Sequence, residues 1–323
     1  MNNQYTGWTL KKYGRAQRLA LNTYQHHPLK DTEILIKIEY SGVNSADIAL
    51  RKGKKLIVRL FNGLFYPKKI TRTGVDFSGR IISVGHKVKK YNQGDWVFGL
   101  RDNDFSTNSQ YLYVDANCLM AKIPIGVSPE TACAGSFGGI NALFFINLLP
   151  KLENRSKILV TNAQGSVGNA VFQILNAMEH DVIAGIRTGH ESSFKSQFPN
   201  VLSMPENDLR NLGSDTLDVI IDCGGRRINF GLIKALKSKG YLVTTSFGFS
   251  TMIFKYITEI FSDKKIISRV AGYYKEDLEC IAEYICSGTY DPQVDSIFPY
   301  EDLIAAHKYI DNFGKFGSVV IKS

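Results

Sequence analysis

KILVTNAQGSVGNAVFQILNAMEHDVIAGIR, residues 157–187, divides into a short apolar run, a turn of small residues, a helix and a second apolar run. Ile158 to Thr161 has the β-branched composition of a buried strand. Ala163, Gly165, Ser166, Val167 and Gly168 then set small side chains where a backbone would come close to a pyrophosphate. Val167, Ala170, Val171, Ile174 and Leu175 recur at helical spacing, so the helix would aim the N–H groups and positive dipole end of its first turn at a phosphate. The second strand, Asp181 to Ile186, ends at Arg187, nineteen residues after Gly168.

In a dinucleotide-binding unit, the position roughly 20 residues beyond the glycines usually carries an acid that takes the ribose hydroxyls of NAD. An Arg there can bind an adenosine 2′-phosphate bidentately, so Arg187 favours NADP(H) over NAD(H). Its plainer reading is a solvated loop Arg. Lys195, Lys315 and a neighbouring Ser are further candidates for the same phosphate.

A chain of 323 residues exceeds the usual single domain, so two domains are expected. Hydrophobic residues make up 44% and charged residues 21%, the balance of a packed protein and not of a disordered one. No apolar run reaches the roughly 18 residues of a membrane span. Met1-Asn2-Asn3-Gln4 lacks a signal-peptide core, and the expectation is a cytoplasmic protein. Cys118, Cys133, Cys223, Cys280 and Cys286 are scattered, without a Cys-x-x-Cys pair, and read as free thiols.

Much of the net charge of +9 comes from one window: residues 51–90 hold twelve Lys or Arg against a single acid, Asp76. Such a window is more often a solvated face than a site, but it can attract phosphates, single-stranded nucleic acid or an anionic membrane. Inside it, Leu56 to Tyr66 is apolar and aromatic, the composition of an interfacial or lid helix.

Along the chain, Ile34, Ile36, Ile38 and Tyr40 alternate with Leu35, Lys37 and Glu39, the period of a half-buried strand. Short β-prone runs at 77–84, 96–100 and 110–114 follow, bounded by glycines, so residues 1–123 predict a barrel-like β domain. Beyond Ser128 strands at 158–161, 182–186, 218–222, 241–246 and 266–271 alternate with helices that include 229–238 and 251–262, which implies a parallel sheet. Cys223-Gly224 and Ser246-Phe247-Gly248 fall at carboxyl ends of strands, the edge where an open α/β sheet binds its ligand. A helix at 276–287, a second at 300–312 and a strand at 317–322 close the sequence.

Gly42-Val43-Asn44-Ser45-Ala46-Asp47, Gly74-Val75-Asp76-Phe77-Ser78-Gly79, Val84-Gly85, Gly94-Asp95-Trp96-Val97-Phe98-Gly99 and Ala163-x-Gly165-x-x-Gly168 occur in this order. The sequence thereby resembles the zinc-independent, quinone oxidoreductase-like (zeta-crystallin-like) branch of the medium-chain dehydrogenase/reductase superfamily. The resemblance implies an α/β protein: a GroES-like β-barrel catalytic domain, residues 1–123 and 289–323, and a Rossmann doubly wound parallel-sheet domain, residues 124–288. It also implies hydride transfer from NADPH and a homodimer. The first zinc-ligand Cys of the zinc alcohol dehydrogenases would align at Asn44 and their His at Val75; neither can replace that ligand, so no zinc is expected.

The expected reaction is NADPH-dependent reduction of a quinone or an α,β-unsaturated carbonyl, the lipophilic kind of small molecule that Leu56–Tyr66 and Met252–Phe261 would line or cover. Such apolar stretches are more often core or subunit interface. Without a metal, the developing oxyanion needs hydrogen-bond donors, and Asn44 is the best candidate, with Asp47 beside it. Both also suit a local capping role. Tyr66 and Tyr273 are weaker candidate donors. The alternatives are an NADP-dependent carbonyl or alcohol reductase and, in another class, an NADPH-binding redox sensor or a single-stranded nucleic-acid-binding protein.

Overall fold

The computed structural model describes residues 3–54, 56–225, 230–244 and 249–323, with Arg210, Phe249 and Ser250 described by backbone alone. It divides into two units, residues 1–137, 274–287 and 292–323 forming the first and residues 138–273 and 288–291 the second. Strands β1 (Gln4–Leu10) and β2 (Leu19–Gln25) pair as an antiparallel ribbon. Then come β3 (Glu33–Val43), helices α1 (Ser45–Lys52) and α2 (Leu56–Asn62), and strands β4 (Asp76–Val84), β5 (Trp96–Leu100), β6 (Tyr111–Asp115) and β7 (Met120–Lys122). Helix α3 (Pro129–Asn147) carries the chain from one unit into the other.

The second unit holds β8 (Lys157–Thr161), α4 (Ser166–Ala177), β9 (Asp181–Ile186), α5 (Glu191–Gln197), β10 (Leu202–Pro205), β11 (Leu217–Asp222), α6 (Phe230–Ala235), β12 (Leu236–Thr244), α7 (Phe249–Phe261) and β13 (Lys265–Ser268). Its six strands are all parallel, in the order β10-β9-β8-β11-β12-β13. The order reverses between β8 and β11, the switch point of a doubly wound sheet. Ile220 and Ile221, on opposite faces of β11, are both fully buried, because helices cover both sides.

The chain returns to the first unit through α8 (Lys275–Ser287), β14 (Val294–Pro299), α9 (Leu303–Phe313) and β15 (Ser318–Lys322). Its seven-stranded sheet runs β14-β15-β3-β4-β5-β7, with β6 also on β3. The long β3 is shared end to end: residues 33–37 pair with β6 and Tyr40–Val43 with β15, while β4 takes the other edge. Ile34, Ile36 and Ile38 alternate inward as the sequence implies and are fully buried with Phe77, Ile81 and Val97. Each contributes about 1.5–3 kcal/mol.

Two unit boundaries, one helix end and one strand differ from the sequence expectation. Helix α8 and the first half of α3 belong to the first unit instead of the nucleotide-binding one, because of what they touch. Lys90 Nζ donates to Glu279 Oε1 at 2.6 Å, the Lys275 ammonium lies 5.1 Å from the Tyr91 ring centroid, and Cys133 and Ala134 pack with Tyr40 and Val320. The helix expected over 229–238 stops at Ala235, where Leu236 instead pairs with Leu217 of β11. Strand β10 was not anticipated. Among the described residues no helix is long and apolar enough to cross a membrane.

Candidate active site and cofactor site

In the first unit, the turn from β3 into α1 is built by a reciprocal cap. Asn44 Oδ1 accepts from the backbone N–H of Ala46 at 2.9 Å and of Asp47 at 3.4 Å, and Asp47 Oδ2 accepts from Asn44 N at 3.2 Å. The capping reading of both residues is therefore realised. Both also reach further: Asn44 Nδ2 donates to Asp76 Oδ1 at 2.9 Å, and Asp47 Oδ1 accepts from Gly74 N at 2.8 Å. Since the helix N–H groups need an acceptor, the Asn44 amide orientation is set, and its second Nδ2 hydrogen has no protein partner among the described residues.

Two glycines make this packing feasible. A Cβ on Gly42 would run into the Asp76 carboxylate, and one on Gly74, at φ +89°, into Asn108 N and Thr107 Oγ1. Asn44, Asp47 and Asp76 are all buried. Burial raises Asp47 to about 7, helped by the neighbouring Asp76 charge. Burial also raises Asp76 to about 6, opposed by the Asn44 amide and the Lys315 charge. Both carboxyls thus titrate near neutrality as an interacting pair. Lys315 is half-buried, and desolvation lowers its ammonium against the upward pull of Asp76, Asp295 and Asp47. It was expected at a phosphate; its charge neighbours are these three acids. Asp76 and its link to Lys315 were missed as site features, although Asp76 is the lone acid of a basic window, which is a signal in itself.

In the second unit, β8 ends at Thr161 and Asn162 turns left-handed at φ +52°. Gly165 N donates back to Asn162 O at 2.9 Å, and α4 begins with Gly165 as its N-cap, without a side-chain cap. The glycines are required: a Cβ on Gly168 would strike Asn162 O and Ala163, and one on Gly165 the Asn162 amide. Ala163, Ser166, Val167 and Gly168 thus lie at the mouth of α4 as the sequence implies, in a cradle that fits a pyrophosphate: small residues below and first-turn N–H groups, which have no intrahelical acceptor, above.

Arg187, exposed at the end of β9, reaches this loop. Its N–H donates to Gln164 Oε1 at 3.1 Å, and its guanidinium lies 3.5 Å from Asn162 Oδ1. Gln164 also donates to Asn162 Oδ1 at 2.7 Å, tying the three together. Lys195 instead meets the Val201 carbonyl at 3.4 Å. Behind the loop, buried Glu206 accepts from Asn162 N at 2.7 Å. Asp222 accepts from Thr161 at 2.7 Å and Thr244 at 3.0 Å, bracing the carboxyl ends of β8, β11 and β12. Glu206, Asp222 and the two threonines were missed, since nothing in a single acid or Thr marks it. Cys223 and Gly224 follow directly on β11, where burial and the Asp222 charge push the Cys223 thiol well up. Ser246, Phe247 and Gly248 lie outside the described residues. Tyr273 Oη donates to Asn141 Oδ1 at 3.1 Å, and Tyr66 is exposed beneath Lys68.

A six-stranded doubly wound unit with a glycine loop, joined to a GroES-like β unit, is the make-up of a two-unit dehydrogenase or reductase. Residues 30–137 match the alcohol dehydrogenase GroES-like domain and residues 197–321 the zinc-binding dehydrogenase family. The chain belongs to the medium-chain dehydrogenase/reductase superfamily. Quinone oxidoreductase-like protein 2 of Bos taurus is 22% identical over 94% of this chain and 88% of its own. Protein YIM1 of Vanderwaltozyma polyspora is 25% identical over 91% of each. Among solved structures, the quinone oxidoreductase from Coxiella burnetii superposes with a TM-score of 0.86 over 99% of both chains at 19% identity. CurK enoyl reductase gives 0.81 over 99% of both at 18%.

Proposed function

We propose that this protein is an NADPH-dependent oxidoreductase that reduces a quinone or an α,β-unsaturated carbonyl compound without a metal. The observation that carries the cofactor choice is Arg187, a cation placed on the phosphate loop at the position where an NAD-binding unit sets an acid. When bound, the nicotinamide supplies the hydride. The Gly165–Gly168 cradle holds the pyrophosphate, and Arg187 takes the 2′-phosphate. Substrate reduction builds negative charge on a carbonyl oxygen, which needs a preorganised donor. Asn44 fills that role through its second amide hydrogen, its first being locked to Asp76 and its oxygen to the α1 N-terminus. Water then protonates the reduced substrate. Asn44 and buried Val75 stand where the zinc relatives carry ligands, and a carboxamide and an isopropyl group leave a metal with too few donors.

The test is anaerobic oxidation of NADPH and NADH by the purified protein across quinones, enones, aldehydes and alcohols, with cofactor binding measured in parallel. Turnover with a quinone or enone and NADPH is the expected result. Turnover confined to aldehydes would make it a carbonyl reductase, and tight NADPH binding without turnover would make it a sensor.

A further inference from the structure

Helix α2 is built inside out. Its one buried residue is the polar Asn62, whereas Leu56, Ile57, Leu60 and Phe61, with Leu64 and Phe65 just beyond, are 46–79% exposed. Asn62 earns its burial by pinning the chain: Nδ2 donates to Ile70 O at 3.0 Å, and Oδ1 accepts from Lys69 N at 3.1 Å and Ile70 N at 2.6 Å. Arg59, from the same helix, donates to Gly53 O at 2.7 Å and Leu64 O at 3.2 Å, with its guanidinium 5.2 Å from the Tyr13 ring centroid. Polar side chains thus anchor the segment and hold its apolar face outward.

The rim of this face is cationic. Lys54, Lys68 and Lys69 are exposed, and the ammonium groups of Lys68 and Lys69 lie 5.3 and 5.0 Å from the Tyr66 and Phe61 ring centroids. Exposed Lys11 and Lys12 precede Tyr13, whose hydroxyl donates to Gly63 O at 2.9 Å. Neither residues 1–30 nor residues 51–75 contain an Asp or Glu.

We propose that the α2 face is a docking surface for an anionic phospholipid membrane, with Leu60, Phe61 and Phe65 entering the headgroup–acyl boundary and the surrounding lysines meeting lipid phosphates. Charge complementarity selects this occupant. A second copy docking face to face would bring lysines against lysines, with no acid in residues 1–30 or 51–75 to answer them. A nucleic acid would match the charge but leave Leu56, Ile57, Leu60 and Leu64 without an apolar partner, whereas a bilayer interface satisfies both.

The purified protein is sedimented with vesicles of phosphatidylcholine alone and of phosphatidylcholine mixed with phosphatidylglycerol, at low and high salt. Binding to the anionic vesicles that weakens with salt is expected. It should be abolished in L60S/F61S and fall roughly thirty-fold in K68A/K69A, since each surface lysine is worth about fivefold. Circular dichroism melts confirm that these exposed-site variants stay folded. No sedimentation with anionic vesicles at low salt, or undiminished binding by L60S/F61S, overturns the assignment. So does loss of a dimer by light scattering in L60S/F61S, which would give the face to a second copy.

Discussion

Replacing Asp76 by Asn should stabilise the protein at neutral pH and leave it nearly unchanged in acid. Asn keeps an oxygen to accept from Asn44 Nδ2 and has the same shape against Gly42, so the substitution changes charge and little else. Burial raises Asp76 from 3.8 to about 6. At about 1.4 kcal/mol per tenfold, ionising it in the fold costs about 3 kcal/mol relative to the unfolded chain. A carboxyl raised in this way favours the fold fully below pH ~4 and loses that contribution as pH rises through ~6. The variant cannot ionise, so its stability relative to the parent should grow by about 2 kcal/mol between pH 4 and pH 7.5, after the loss of a partner for Lys315 is set against the gain. Urea unfolding at the two pH values, with equal slopes, reads this difference directly. A constant offset at both would refute the reading of Asp76 as a buried, proton-binding carboxyl.

Arg187→Asp should weaken NADPH far more than NADH in fluorescence titrations, and equal losses for both would remove Arg187 from 2′-phosphate recognition. Asn44→Ala takes away a helix cap worth about 1 kcal/mol and the proposed oxyanion donor, so kcat/KM should fall by roughly a hundredfold or more. Parental turnover with unchanged NADPH affinity would exclude that role. Gly168→Ala forces a Cβ against Asn162 O, and thermal melts with and without NADPH should show lowered stability and no cofactor-induced shift. Asp311 holds buried Arg51 at 2.6 Å, while His307, driven down to about 3 by burial and by Arg51, stays neutral beside it. Asp311→Ala should cost about 3–5 kcal/mol in urea unfolding, and a loss below 1 would show that Gly14 O and His307 suffice.

The β8–α4–β9 run was legible because every level of its sequence agrees: β-branched strand, small-residue turn, helical period, second strand. Strand β10 was not, because Leu202–Pro205 is four residues long and ends in a proline, tolerable only because this strand sits at the sheet edge. The overlong expectation for α6 has a similar origin: Leu236 continues the helical period, yet its pairing with Leu217 decides its state. At the site, local chemistry was readable and tertiary chemistry was not. Asn44 and Asp47 stand three apart on one cap, whereas Asp76 and Lys315 are brought beside them by the fold. Helix α2 shows the opposite difficulty: its apolar run read equally as an interfacial or lid helix and as core or subunit interface, and only the tertiary bonds of its polar anchor, Asn62, show that the run faces outward.

Strand β15, residues 318–322, is an inner strand of its sheet, flanked by β14 and β3. The Val43–Val319 pair spans 276 residues of sequence (319 − 43), and the whole second unit lies between its two halves, so this edge of β3 is closed by a long-range contact of the kind that forms slowly. The Asn44 turn follows directly on that edge, so a change that unseats β15 would leave unpaired backbone groups, open to pairing with another chain, right beside the candidate site.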